Sequence, residues 1–305
     1  MKKLLAILMT GSMAVSLAAC GSTAATVTPT ASSEVPKTTS AATTEVSAST
    51  AAETTTEATA STAAAATASA DDVTGSMKGV TIKVGTSGLF GPFSYYDTDG
   101  TTLIGYDLDM LKDIQDILGF DIDGGVQAMD YSALTASVAE GKLDVAAAAL
   151  CATDERKKVM NFSKTYCDSG QMVMINKDND EGITGVDDLA GKKVAVEKGT
   201  ASHMYAQKNL ADSTIEVHDT ITTAYESLEQ KKVDAVIQDG PGCAFYIKTT
   251  DGTKLETVGD EFNQGQAPYA IAYNKDFAYQ DQFNAALQML QDNGTLDKLY
   301  EKWCK

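Results

Sequence analysis

Apolar and polar positions along the chain fall into a pattern that occurs twice. Leu143 to Leu150 is a nearly unbroken apolar run with one carboxylate, Asp144, near its start, which predicts a strand buried on both faces, as in a parallel sheet. Thr153-Asp154-Glu155-Arg156 follows and reads as a helix start, with a hydroxyl to cap free N–H groups and two acids where the helix dipole favours negative charge. Arg156 is thereby delivered to the carboxyl end of a buried strand, where open α/β sheets bind ligands. A guanidinium there suits a carboxylate, to which it can donate two parallel hydrogen bonds. Taken alone, the stretch leaves open an exposed arginine on a charged first turn.

Upstream, Val80 to Val84 alternates like a strand and runs into Gly85-Thr86. Gly105 to Phe120 carries Leu108, Leu111, Ile114, Ile117 and Leu118 at helical period, with Gly119 as the stop. Ser132 to Glu140 predicts a second helix. Downstream, Lys193 to Val196 is a strand running towards Gly199-Thr200, followed by a helix through Met204 and Leu210. Thr222 to Gln230 is helical, and Val233 to Ile237 is again a buried strand with Asp234 at its start. EGKLDVA at residues 140–146 lines up with QKKVDAV at 230–236, Asp144 over Asp234. Together with a Gly-Thr pair in each half, this predicts two similar α/β lobes whose strand ends face a shared cleft.

The ends change the picture. Lys2-Lys3, an apolar run from Leu4 to Ala19, and Cys20 have the layout of a signal peptide over residues 1–19, too short to span a bilayer. Leu17-Ala18-Ala19-Cys20-Gly21 resembles the lipobox of bacterial lipoproteins, in which the cysteine is lipidated and becomes the mature N-terminus. Residues 20–76 comprise this Cys20 and an Ala/Thr/Ser-rich segment without aromatics. Such a segment cannot bury enough surface to offset its ordering entropy, so a disordered tether is expected. The net charge of −18 argues against nucleic acid and against acidic lipid head groups. Cys151, Cys167, Cys243 and Cys304 form no CxxC and match no metal pattern, so neither metal nor cofactor is expected.

The folded part resembles the extracellular solute-binding proteins, family 3, of polar amino-acid ABC transporters. The matching stretches are GPFSYYDTDGTTLIGYDLDM, DYSALTASVAEGKLDVAAAALCATDERKKVMNFSKTY, GVDDLAGKKVAVEKGTAS, KKVDAVIQDGP and DNGTLDKLYEKW, in that order. The resemblance implies a two-lobed, type II periplasmic-binding-protein fold, with lobe 1 in residues 77–171 plus 267–305 and lobe 2 in 172–266. The crossings should fall near residues 170–174 and 265–271, and the last helix should pack on lobe 1. It also implies that Arg156 grips the α-carboxylate of an amino acid and Asp239 its α-ammonium, although an acid in Asp239-Gly240-Pro241 could also simply start a turn. Thr200 would donate to the carboxylate, with a plain helix N-cap as its other reading. Phe90 and Tyr131 would wall the side chain, with Ala149 and Gln238 beside them.

Three residues depart from the family pattern. Ser87 stands where an acid is common, which disfavours lysine or arginine as ligand. Cys151 replaces a hydroxyl and is a weak donor, and Ala201 offers only its N–H. A neutral polar or sulfur-containing ligand such as glutamine or cystine is the resulting expectation. The family further implies a monomer, lipid-anchored on the extracytoplasmic face of the cell membrane, that hands its ligand to an ABC permease and is not an enzyme. A ligand-presenting sensor and a dehydratase-like enzyme on the same fold are the alternatives. The two histidines, His203 and His218, sit beside no obvious nucleophile, and His203 is expected at a solvated helix position.

Overall fold

The computed structural model describes residues 73–178, 181–266 and 268–305. The expected signal peptide, Cys20 and nearly all of the tether lie outside the described residues. The folded part begins earlier than expected, because Val73 and Met77 are already buried. The Gly75 N–H donates to the Ile117 carbonyl at 2.7 Å and the Met77 N–H to that of Leu118 at 2.9 Å. Residues 73–76, read as tether, are therefore pinned to the first long helix. Two apolar residues four apart are too few to stand out as a stripe in an Ala/Thr/Ser background.

The chain lays down β1 (Val84–Thr86), β2 (Gln127–Ala128), β3 (Val145–Ala146) and β4 (Asn161–Cys167). It then crosses over to lay down β5 (Gln171–Asn176), β6 (Lys193–Glu197), β7 (Thr214–His218), β8 (Ala235–Asp239) and β9 (Leu255–Phe262). It returns for β10 (Tyr269–Tyr273). Two five-stranded sheets result, ordered β2-β1-β3-β10-β4 and β7-β6-β8-β5-β9. In both, the first three strands are parallel and the last two antiparallel to their neighbours. The lobes thus share one plan, and in each the fourth strand follows directly on a crossing between them.

The aligned acids account for part of this likeness. The Asp144 carboxylate accepts the Lys83 N–H at 2.7 Å, and Asp234 accepts that of Lys193 at 2.8 Å. Each carboxylate thus ties the start of the third strand in its sheet order to that of the second, β3 to β1 and β8 to β6. The Gly-Thr pairs, by contrast, do not correspond. Gly85-Thr86 lies within β1, whereas Gly199 and Thr200 follow β6 as turn and helix cap. With Lys83 matched to Lys193, Ser87 of the first lobe corresponds to Glu197 of the second.

The helix Tyr106–Leu118 runs to Gly119, whose φ of 82° closes it in the left-handed conformation. It buries Met110, Ile114 and Leu118 completely, each contributing roughly 1.5–3 kcal/mol of transfer free energy. The helices Gln280–Asp292 and Thr295–Cys304 add Phe283, Leu287, Leu290, Leu296 and Leu299 to the same core. Their tie to the first helix is also polar, since Trp303 Nε1 donates to Asp109 at 2.8 Å.

The run from Leu143 to Leu150 is buried apart from the half-buried Asp144, yet only Val145–Ala146 pairs as strand. Ala149 takes a φ of 48°, which an alanine tolerates only when its surroundings hold it there. The holder is Asp107, whose Oδ2 accepts the Ala149 N–H at 2.6 Å. This non-local bond is why an apolar run that reads as one long strand leaves the ladder early.

Candidate ligand-binding site

Where the carboxyl ends of the two sheets meet, the lobes enclose a chamber of about 10 Å³, room for about one water molecule. Phe90, Tyr131 and Ala149 line it from the first lobe. Thr200, Ala201, Gln238 and Asp239 line it from the second, together with Glu197. Seven residues singled out in the sequence therefore come together there.

The other three stand apart from the lining. Arg156 lies behind Tyr131, its guanidinium carbon 5.2 Å from the ring centroid. Its Nη1 donates to the Cys151 carbonyl at 2.8 Å and its Nη2 to the Gly199 carbonyl at 2.7 Å. The second bond crosses from lobe to lobe. Cys151 is buried with its Sγ 3.8 Å from Asp239 Oδ2, a weak contact for a thiol. Burial first, and then the Asp239 charge, push that thiol well above its ordinary pKa. The Ser87 hydroxyl is within 3.3 Å of the Ser94 hydroxyl and accepts the Leu89 N–H.

Asp239 ends β8. Its Oδ2 accepts the Tyr269 hydroxyl at 2.9 Å, so a side chain of β10 in the first lobe orients a carboxylate of the second. Burial raises the pKa of Asp239 to about 6, with the Tyr269 hydrogen bond and Arg156 pulling it back. Glu197, at the end of β6, is raised to about 8, chiefly by burial, and is therefore largely protonated near neutral pH. The chamber region thus holds one guanidinium, one carboxylate that ionises near pH 6 and one neutral carboxylic acid.

Thr200 caps the helix Ala201–Asn209, accepting the His203 N–H at 3.1 Å while donating to the Glu197 carbonyl at 2.7 Å. Its hydroxyl hydrogen is spent, so this helix start has only backbone N–H groups to offer an anion. His203 is half-buried rather than solvated, because its Nδ1 accepts the Gly199 N–H at 3.1 Å and braces the loop. Burial and Lys198 lower its pKa, which keeps that nitrogen an acceptor.

Two aromatic rings seat on bare α-carbons across the cleft. A Cβ on Gly242 of the second lobe would fall 2.3 Å from the Phe90 ring, and one on Gly91 of the first lobe 2.1 Å from the Phe245 ring. Tyr95 extends the second contact, its ring 4.9 Å from that of Phe245.

Sequence reasoning passed over Asp107, Tyr269, Gly91, Gly242 and Phe245, and did not count Glu197 among the contacts. Asp107 alone left a local signal: a carboxylate on the apolar stripe shared with Leu111, Ile114 and Leu118.

Two α/β lobes of one topology, crossed twice by the chain and enclosing a polar chamber, define a two-lobed solute-binding fold of type II. The chain belongs to the bacterial extracellular solute-binding proteins, family 3, which residues 82–305 match. It is 30% identical over 222 residues to the arginine-binding extracellular protein ArtP of Bacillus subtilis (strain 168), covering 72% of this chain and 84% of ArtP. It is 30% identical over 224 residues to the L-cystine-binding protein TcyJ of Escherichia coli (strain K12), covering 73% and 82%. Among solved structures, an ancestral arginine-binding protein bound to glutamine superposes with a TM-score of 0.68 at 35% identity, covering 73% of this chain and 97% of that one. These relatives are amino-acid-binding proteins.

Proposed function

We propose that this chain is an extracytoplasmic lipoprotein, anchored through Cys20, that binds one amino acid between its lobes and delivers it to an ABC permease. The observation that best supports this reading is a buried guanidinium, Arg156, on one lobe whose charge reaches the buried carboxylate of Asp239 on the other. Together they complement the α-carboxylate and α-ammonium of a zwitterion, so a ligand bridging both stabilises the closed arrangement. Arg156 exchanges a backbone carbonyl for the ligand carboxylate, assisted by the N–H groups at Ala201 and Ser202. Phe90 and Tyr131 flank the side chain. The neutral carboxylic acid of Glu197 can both donate to and accept from an uncharged polar group, which favours glutamine or a sulfur-containing amino acid such as cystine. A cationic side chain would have to draw the proton from Glu197, and this separates the present reading from the arginine binding of ArtP.

The test is a thermal-shift screen against the common amino acids and cystine. A ligand far above its dissociation constant stabilises the native state by several kcal/mol, so a clear rise in Tm is expected with a neutral polar or sulfur-containing amino acid. A response to sugars or metals alone, or to no amino acid, would overturn the reading.

A further inference from the structure

Between the groups proposed to meet the two ligand charges lies one buried amide. Gln171 opens β5 immediately after the first crossing and is 2% exposed. It stands directly opposite Asp239 in the antiparallel pair of β5 and β8, so the two side chains share a face of the sheet within reach of each other. Its Nε2 donates to the Ser202 Oγ at 3.2 Å, in the first turn of the helix Ala201–Asn209. Its Oε1 accepts from Asn263 Nδ2 at 3.2 Å. The proposed function sets the ligand carboxylate against that helix start and the ammonium against Asp239. Gln171 adjoins both.

Its third partner connects this amide to the second crossing. Asn263 follows β9 with a φ of 56°, a left-handed backbone that asparagine adopts more readily than most residues, just before the chain returns to the first lobe. Beside it the two crossings are in direct contact. The Gly170 N–H donates to Glu261 Oε1 at 2.7 Å, and a Cβ on Gly170 would fall 2.7 Å from the Phe262 carbonyl. Two lobes joined by such strands close by rotation about them. The amide that adjoins both charge sites is therefore also fixed to the pivot, and a buried amide holds its partners firmly because leaving any of them unmet is costly.

We propose that Gln171 is a positioning residue of the amino-acid site, spacing Asp239 from the start of the Ala201–Asn209 helix and tying both to the strands about which the lobes close. The proposal rests on the amino-acid reading above. Calorimetric titration of the chain and of Gln171→Met with L-glutamine and L-cystine, across about pH 5 to 8, tests it. Methionine approximates the volume of glutamine but donates nothing, so binding at the upper end of that range should weaken at least tenfold. The pH dependence separates positioning from packing. Burial raises the Asp239 pKa, and Gln171 follows Tyr269 and Arg156 among the groups that pull it back. Asp239 also faces Cys151 and Tyr131 of the first lobe and Glu197, Tyr225 and Cys243 of the second, all of which the variant leaves in place. The pH below which affinity declines should therefore move upward in Gln171→Met. Asn263→Gly tolerates the left-handed turn and frees one end of the amide, which keeps the test open should the methionine variant not fold. It should weaken binding roughly two- to tenfold, the worth of one buried hydrogen bond, with a smaller shift of the same sign. Unchanged affinity in a folded variant, or a loss equal at every pH, overturns the proposal and leaves the amino-acid reading standing. A parent that binds neither ligand would remove both.

Discussion

The carboxyl of Asp107 is the most consequential single group outside the chamber. It is fully buried, its Oδ2 holds the Ala149 N–H, and burial raises its pKa to about 7. In the unfolded chain the same group titrates near 3.9, roughly the ordinary aspartate value. The folded state therefore binds the extra proton between about pH 4 and pH 7, and stability falls as pH rises through that window. Asp107→Asn keeps a carbonyl for the Ala149 N–H but cannot ionise, so its denaturation midpoint should vary less with pH than the parent's. Asp107→Ala strands that N–H and should cost about 1–3 kcal/mol near pH 4, where the parent's carboxyl is protonated in the folded state, and progressively less as pH rises towards 7. Asp239 titrates to a different end. With its pKa near 6 in the unliganded cleft and an α-ammonium opposite it in the complex, binding near pH 6 should release a proton, and affinity should decline as pH falls below that value. Calorimetry in two buffers of different ionisation heat would show the release; matching heats would mean that Asp239 does not meet the ammonium.

Among the elements, the helix Gly240–Thr249 carries an opposition between lobe stability and ligand binding. Alanine in place of glycine favours helix by up to roughly 0.5–1 kcal/mol, and the three atoms nearest a Cβ on Gly242 all belong to Phe90 of the other lobe. Gly242→Ala should therefore leave the unliganded melting temperature unchanged or higher while weakening ligand binding at least tenfold. A matched loss of both would mean that the contact is not specific to closure. Gly242 also marks where sequence reading stops. The helix over Tyr106–Leu118 was legible because its period and its terminal glycine are local, and the doubled architecture because Asp144 and Asp234 stand in matching short stretches of sequence. The Gly-Thr pairs misled because two residues can recur by chance at different heights of a strand. The early exit of Leu143–Leu150 from the ladder depends on Asp107, some forty residues upstream in the chain. The seats at Gly91 and Gly242 are made by rings from the opposite lobe, and no local pattern records them.

At the scale of the molecule, Arg156 is a strut, because it donates to Gly199 of the opposite lobe, and the proposed function makes it a ligand group as well. Arg156→Ala should weaken amino-acid binding by roughly 2–5 kcal/mol, as for truncation of one partner of a buried charged pair. It should also shift the unliganded protein towards an open, larger radius of gyration in solution scattering. Unchanged affinity would leave Arg156 with a structural role alone.

The double crossing has a further consequence for how the protein forms. All five strands of the second sheet lie between Gln171 and Phe262 without interruption, whereas β10, an interior strand of the first sheet, is translated after them. A chain emerging from its N-terminus can therefore complete the second sheet while the first still has an unfilled gap beside β3. Refolding should show two phases, with probes in the second lobe ordering before those in the first. Until Tyr269–Tyr273 arrives, Asp239 lacks the hydroxyl that orients its carboxylate, so under the proposed function ligand can select only the last state along the way.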